Sequence, residues 1–352
     1  MNFFKILLSL VLLVVVASCK TDVSLDFERP FEKKVGIVLP LSTNPSARDI
    51  ADGMAMAVAE FNASQGKNGV VEFFFEDIGE TRNKPLNAIS RLTEKGVRVF
   101  CVGFDKEIIM QHKIFSNFSG AFFNFFMSYP PATIQGSNNS TRMFFNVAQE
   151  SDIMAEYALK QNGSKTYVIL SEDSAWGKSA GDFLNFSVSA SDRKVFRDYF
   201  TTGEKSFDIF AKQILYQNPK AIFYVGDGCE FEYLENALKK ASFKGILLRN
   251  RGMQLNVEKS SYSKVCLTKF ETCNTDKIKK FKADFQNKFS RQPSVFSAWG
   301  YDSANHLIQA MFKANFTLSK MRKQFCNVEK DGVVGTLKFD SSADCTTDLT
   351  LK

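Results

Sequence analysis

The segment Val35-Gly36-Ile37-Val38-Leu39-Pro40-Leu41-Ser42, followed within a dozen residues by Gly53-Met54-Ala55-Met56-Ala57-Val58-Ala59-Glu60-Phe61-Asn62, decides the fold. Five consecutive apolar or small residues closed by a proline read as a strand buried on both faces. The stretch 47–62 then places Ile50, Met54, Ala57, Val58 and Phe61 at helical spacing. The unit repeats: a strand over 70–75, a helix over 84–95 ended by Gly96, and strands over 97–102 and 121–127. Strands alternating with helices of this size predict an α/β protein with a parallel sheet covered on both faces.

A second series follows Phe145. Helices are predicted over 151–161, 178–190, 207–217 and 230–241, interleaved with strands over 166–170, 195–200, 221–225 and 245–248. Residues 250–275, rich in Ser, Lys and Asn, interrupt the rhythm. Helices over 276–289 and 298–314 resume it, and an alternating strand over 332–339 closes the chain. Two α/β series plus late helices imply two lobes with the chain crossing between them more than once. Phenylalanine, 36 of 352 residues, clusters at Phe73-Phe74-Phe75 and at Phe122, Phe123, Phe125 and Phe126, where it reads as core.

Composition narrows the chemistry. A net charge of +7, with Lys and Arg scattered among Asp and Glu, gives no basic face for nucleic acid. His112 and His306 are the only histidines, no metal-ligand spacing occurs, and no Gly-rich phosphate loop or Ser-nucleophile motif is present, so neither metal nor cofactor is expected. Carboxylate pairs such as Glu76-Asp77 and Glu172-Asp173 lack a nucleophile or metal set, which argues against an enzyme.

The amino terminus predicts export. Residues 1–18 carry Lys5 before an apolar run too short to span a bilayer, the form of a signal peptide. Val16-Ala17-Ser18-Cys19 resembles a bacterial lipobox, which implies acylation of Cys19 and anchoring to a membrane through lipid. Residues 19–32 read as a lipidated tether. Lys20, where an Asp would favour inner-membrane retention, leans toward the outer membrane in a Gram-negative cell.

With these segments assembled, the chain resembles the type I periplasmic-binding-protein fold, in the branched-chain amino acid branch of ABC-transporter substrate-binding proteins. The opening strand, loop and helix just quoted are similar to that family's start. Residues 72–96 are similar to its second strand, acidic turn and helix, and Ser171-Glu172-Asp173-Ser174-Ala175-Trp176-Gly177-Lys178-Ser179 to a cleft loop that usually carries Tyr. Residues 298–310 resemble its Tyr-Asp helix and 331–344 its closing hairpin. The resemblance, over about residues 35 to 345, implies two lobes joined by three hinge crossovers. Lobe 1 would comprise 33–145 plus 277–325, and lobe 2 would comprise 146–276 plus 326–352. A ligand would sit at strand carboxyl ends between them.

On that resemblance the ligand-binding candidates are Leu41 and Ser42 after the first strand, Ser128 and Tyr129 after the fourth, Trp176 and Asp227 in the second lobe, and Arg249 and Arg251 after strand 245–248. Asp105, in place of a small residue, would repel a ligand carboxylate. Amino acid binders commonly carry an acid near Arg249, so two guanidiniums there imply an anionic or planar polar group, covered by Trp176. Six cysteines besides Cys19 suit an oxidising compartment and allow fifteen pairings. Cys266 with Cys273 and Cys326 with Cys345 are the candidate disulfides, and Cys101 and Cys229 read as buried thiols or as a bridge between lobes. The function implied is a solute-binding protein delivering a small polar molecule to an ABC permease. The alternative is a cell-envelope lipoprotein that uses the fold to engage an envelope protein, as activators of penicillin-binding proteins do.

Overall fold

The computed structural model describes residues 28–65, 69–79, 84–103, 120–128, 139–255, 257, 260–327 and 330–352. Tyr129, Asp105, His112, Cys19 and the expected signal peptide lie outside them. The first sheet is parallel, in the order β2-β1-β3-β4-β5, from Lys34–Leu39 (β1), Glu72–Asp77 (β2), Val99–Gly103 (β3), Phe122–Phe126 (β4) and Ser140–Arg142 (β5). The register sets Val35 against Phe73 and Val99, and Phe123 against Phe100. The buried runs β3 and β4 lie inside this sheet, as a strand apolar on both faces must. β2 is the edge, so Phe73 and Phe74 are only half-buried and Phe75 is exposed, against the expectation that all three fill the core.

The second sheet, β14-β10-β9-β8-β6-β7, comprises Thr166–Glu172 (β6), Lys194–Phe200 (β7), Ala221–Val225 (β8), Ile246–Arg249 (β9), Ser263–Thr268 (β10) and, antiparallel at the edge, Leu349–Leu351 (β14). β10 lies in the stretch read as a break. Its apolar run is only Val265-Cys266-Leu267, flanked by Ser263, Lys264 and Thr268, too short to stand out as a buried strand. A small sheet of Lys330–Asp331 (β11), Thr336–Phe339 (β12) and Cys345–Thr346 (β13) forms the last crossing.

Ten helices among the described residues flank the sheets: Pro45–Ser64 (α1), Lys84–Glu94 (α2), Val147–Lys160 (α3), Ala175–Val188 (α4), Asp208–Tyr216 (α5), Phe231–Lys240 (α6), Lys269–Thr272 (α7), Asp276–Phe289 (α8), Val295–Lys313 (α9) and Leu318–Cys326 (α10). The chain leaves the first sheet after β5 and builds the second. It then returns with α8, α9 and α10, whose Phe281, Phe285, Trp299, Met311 and Phe325 join one core with Val35, Ile37 and Phe122. The last crossing carries it back to β14. α1 and α9 pack through glycine. A Cβ on Gly53 would stand 2.0 Å from the carbonyl oxygen of Ser297, and one on Gly300 2.1 Å from that of Ile50.

The amino-terminal segment docks earlier than a tether to residue 32 implies. Pro30 bridges to Thr317, and Phe31, buried, donates its N–H to the Phe316 carbonyl at 2.8 Å. Among the described residues no helix is long and apolar enough to cross a membrane.

Candidate ligand-binding cleft

Both sheets reverse their strand order beside the strand that opens them, at β1 and at β6, and in such sheets ligands lie beyond the strand carboxyl ends at that switch. The two sets of ends face one cavity of about 180 Å³. Asn44 follows β1, Ser128 follows β4, Trp176 follows β6, Asp227 follows β8 and Asn250 follows β9, and all five line it.

Local structure fixes each of them. Asn44 is the N-cap of α1, its Oδ1 accepting from the amides of Ser46 and Ala47. Ser174 caps α4 by accepting from Gly177 N–H, which sets Trp176 in the first helical turn with its indole largely buried. Trp176 Nε1 donates to Ser128 Oγ at 2.8 Å, joining the two lobes across the cleft. Ser46 Oγ makes a second such bond, to the Met253 carbonyl at 2.9 Å.

The lobe 2 rim is stitched from backbone and amide groups. Asn250 spends both ends of its amide on Gly226, accepting at 3.1 Å and donating at 3.0 Å, and Met253 N–H donates to the Asp227 carbonyl. Gly252 has φ +66, and a Cβ there would lie 2.6 Å from the Asp227 carbonyl oxygen, so this turn accepts only glycine. Asp227 is thereby held at the cavity wall.

An aromatic wall faces this rim. Phe126, Phe144 and Phe145 line the cavity and continue inward as a ring cluster, with Phe144 and Phe145 5.1 Å apart and Phe145 5.5 Å from Trp299. Glu150, 2% exposed, lines the cavity with them from the first turn of α3, after its cap Asn146. Its Oε1 accepts the Arg251 amide at 2.8 Å. Burial pushes the Glu150 carboxyl up to about 7; the Arg251 amide and guanidinium oppose the rise, and Glu271 adds to it.

Of the sequence candidates, Ser128, Trp176 and Asp227 are therefore brought together, and Leu41, Ser42, Arg249 and Arg251 are not among the cavity lining. Leu41 packs on the lobe 1 core, and Ser42 N–H donates to Asp77 Oδ1 at 3.2 Å, tying down the end of β2. The expectation of a guanidinium grip needs correction. Arg251 is buried and spends Nε on Glu271, Nη1 on the Gln254 carbonyl and Nη2 on the Leu255 carbonyl. Arg249 points elsewhere, its guanidinium 4.2 Å from the Phe231 ring beside a separate polar cavity at Glu232, Glu235 and Ser260.

The proposed disulfides are corrected too. Cys266, Cys273, Cys326 and Cys345 carry free thiols. Cys266 is buried inside β10 opposite Leu351, whereas Cys273 ends α7 in solvent. Cys345 is buried in the core and bonds to the Thr346 carbonyl, and Cys326 lies half-buried at the end of α10. Among the described residues no group of three or more His, Cys, Asp or Glu is placed to hold a metal ion.

Sequence reading missed Asn44, Glu150, Met253 and the Phe126, Phe144 and Phe145 wall. The available signal was the N-cap pattern: Asn44 before Pro45, and Asn146 two residues before Ala148, place helix starts, and hence Glu150, earlier than hydrophobic spacing does.

Known proteins share this arrangement. Residues 32–347 match the family described as periplasmic binding protein. A Leu/Ile/Val-binding protein homolog from Brucella melitensis is 23% identical over 233 residues, 62% of this chain and 61% of that protein. The match thus spans about three fifths of the length of that curated relative. Among solved structures, a leucine binding protein from Thermotoga maritima has a TM-score of 0.74 at 18% identity, covering 90% of this chain and 94% of that one. A solute binding protein of an ABC transporter from Rhodopseudomonas palustris, in complex with 3,4-dihydroxy benzoic acid, has a TM-score of 0.75 at 16% identity, covering 91% and 93%. With a family match across nearly the whole folded body and the two-lobed α/β architecture that goes with it, this chain belongs to the periplasmic binding protein family, a family of binding proteins rather than enzymes.

Proposed function

We propose that the protein is the solute-binding component of an ABC transporter, exported and held to a bacterial membrane by lipid on Cys19, which captures a small molecule between its lobes and presents it to the permease. The observation that carries this reading is the cavity of about 180 Å³ whose lining comes from both sheets. A binding protein needs such a site, because a ligand touching both lobes stabilises the closed form relative to the open one by its differential contacts. The Trp176–Ser128 bond spans the same gap. The names of the relatives support the class: one records leucine, isoleucine and valine, and the Rhodopseudomonas palustris structure holds a small aromatic acid. The reading as an envelope interaction module rests on a degenerate cleft, and a formed cavity weighs against it. The lipobox with Lys20 supports placement on the periplasmic side, toward the outer membrane in a Gram-negative cell.

The test is a thermal-shift screen of the purified protein against amino acids, small amines and small aromatic acids. A true ligand at a hundredfold excess over its Kd stabilises by about 2.7 kcal/mol. Failure of every solute to raise Tm, together with stable co-purification of an envelope protein, would overturn the proposal in favour of the interaction module.

A further inference from the structure

The charges around the cleft run opposite to those implied by Arg249 and Arg251. Glu150 and Asp227 both line the cavity, and among the described lining residues none carries a positive charge. Glu150 Oε1 is taken by the Arg251 amide, and Oε2 receives no hydrogen bond from a described residue. The Arg251 guanidinium, 5.8 Å from the Phe145 ring, is committed to Glu271 and to two carbonyls, so it offsets the Glu150 charge only in part. The other wall is aromatic. Ring faces attract cations, and carboxylates in a water-poor site attract them more strongly than at a surface.

We infer that the cleft takes a small organic cation, a protonated or quaternary amine on a compact apolar body without a carboxylate, balanced by Glu150 and Asp227 and enclosed by Phe144, Phe145 and Trp176. This deepens the proposal that the cleft is a ligand site and rests on it. Size limits the class. A cavity of about 150 Å³ admits benzene, so about 180 Å³ suits a body of one ring or a short branched chain. A ligand carboxylate would meet like charge on the lobe 2 wall.

The geometry also couples binding to a proton. The groups around Glu150 are Asn146 and Gln149 on its own helix, Arg251 from the β9–β10 segment, Glu271 on α7 and Cys266 on β10, whose thiol is raised by burial and by Glu150. None neutralises Glu150 fully, so a cation is held best once Glu150 has lost its proton, and affinity rises with pH.

The experiment is calorimetry on the purified protein with matched probes: 3-methylbutylamine, benzylamine and choline; leucine and phenylalanine; 4-methylpentanoate and benzoate. At least one amine binds at least tenfold tighter than its amino acid counterpart, and the carboxylates do not bind. Glu150→Gln and, separately, Asp227→Asn weaken that amine about tenfold. For wild type, affinity for the amine increases between about pH 5.5 and 8, a readout that survives if Glu150→Gln does not fold. Binding of an amino acid or carboxylate without any of the cations overturns the inference and leaves the ligand site standing. A flat or falling pH profile overturns it as well, and no binding by any probe overturns the inference and the ligand-site reading together.

Discussion

Arg142 and Asp344 meet side-on with both side chains buried, Nε donating to Oδ1 at 3.0 Å and Nη2 lying 2.8 Å from Oδ2. Through Nη1 the same guanidinium donates to the carbonyls of Met127 and Phe145, each at 3.1 Å. The first and last crossings between lobes are thereby joined beneath two residues of the cavity wall.

Arg142→Ala strands the Asp344 charge and two carbonyls in the interior, and loses about 3 to 5 kcal/mol of stability. The paired replacement Arg142→Met with Asp344→Leu removes both charges at once and lies closer to wild type than Arg142→Ala. Urea midpoints of the three proteins check this, and a double variant weaker than Arg142→Ala would refute it.

Ser128→Ala leaves the Trp176 indole N–H without its partner across the cleft, which costs the closed form about 1 to 3 kcal/mol. Acrylamide quenching measures the result. Trp299, fully buried in lobe 1, stays dark to the quencher, so a rise in quenchable emission reports Trp176 alone. Unchanged quenching would mean that the bond does not help to hold the lobes together.

Glu150 sets a pH dependence of stability. Its carboxyl is pushed up by burial to about 7 from the ordinary 4.5, so the folded state holds this proton more tightly than the unfolded chain. The stabilising contribution is full below about pH 4.5 and is lost as pH rises to about 7, at no more than about 1.4 kcal/mol per pH unit. Denaturation of wild type and Glu150→Gln at pH 4.5, 6 and 7.5 isolates it as a difference slope that vanishes above about 7.

Alkylation under native, non-reducing conditions modifies the exposed Cys229 and Cys273 first. Cys101, Cys266 and Cys345 react after unfolding, since burial raises all three thiols, Cys101 to about 12. Peptide mapping without reductant finds Cys266, Cys273, Cys326 and Cys345 all alkylated. A Cys266–Cys273 or Cys326–Cys345 peptide pair would show the contrary.

Cys19→Ala releases the protein from membranes into the soluble fraction, whereas Lys20→Asp, with acylation intact, shifts it toward the inner membrane in a Gram-negative host. Intact-mass analysis showing an unmodified Cys19 would sink both expectations.

Much of the architecture was legible because local pattern and global fold agree. Val35 to Leu39, Ala221 to Val225 and Val99 to Val102 are apolar runs that only a doubly covered strand accommodates, and each became one. β10 and β14 were not legible, since three apolar residues flanked by polar ones, or two leucines about a threonine, become a strand only through the neighbours that pair with them. The site was read less well for a related reason. Trp176 and Asp227 follow strands at the switch point, so topology places them. Whether Arg251 is available to a ligand depends on Glu271, twenty positions later on another element, and no local pattern discloses that pairing.

The seam where Gly53 and Gly300 let α1 and α9 meet backbone to backbone has a mechanical consequence. Such a seam has no rotamers to exchange and no slack to take up, so it offers no second packing into which the helices could slide. Lobe 1 therefore behaves as a stiff lever carrying Asn44 at its tip, and the bending needed to admit a molecule is concentrated in the three connecting segments, two of which Arg142 and Asp344 already brace together.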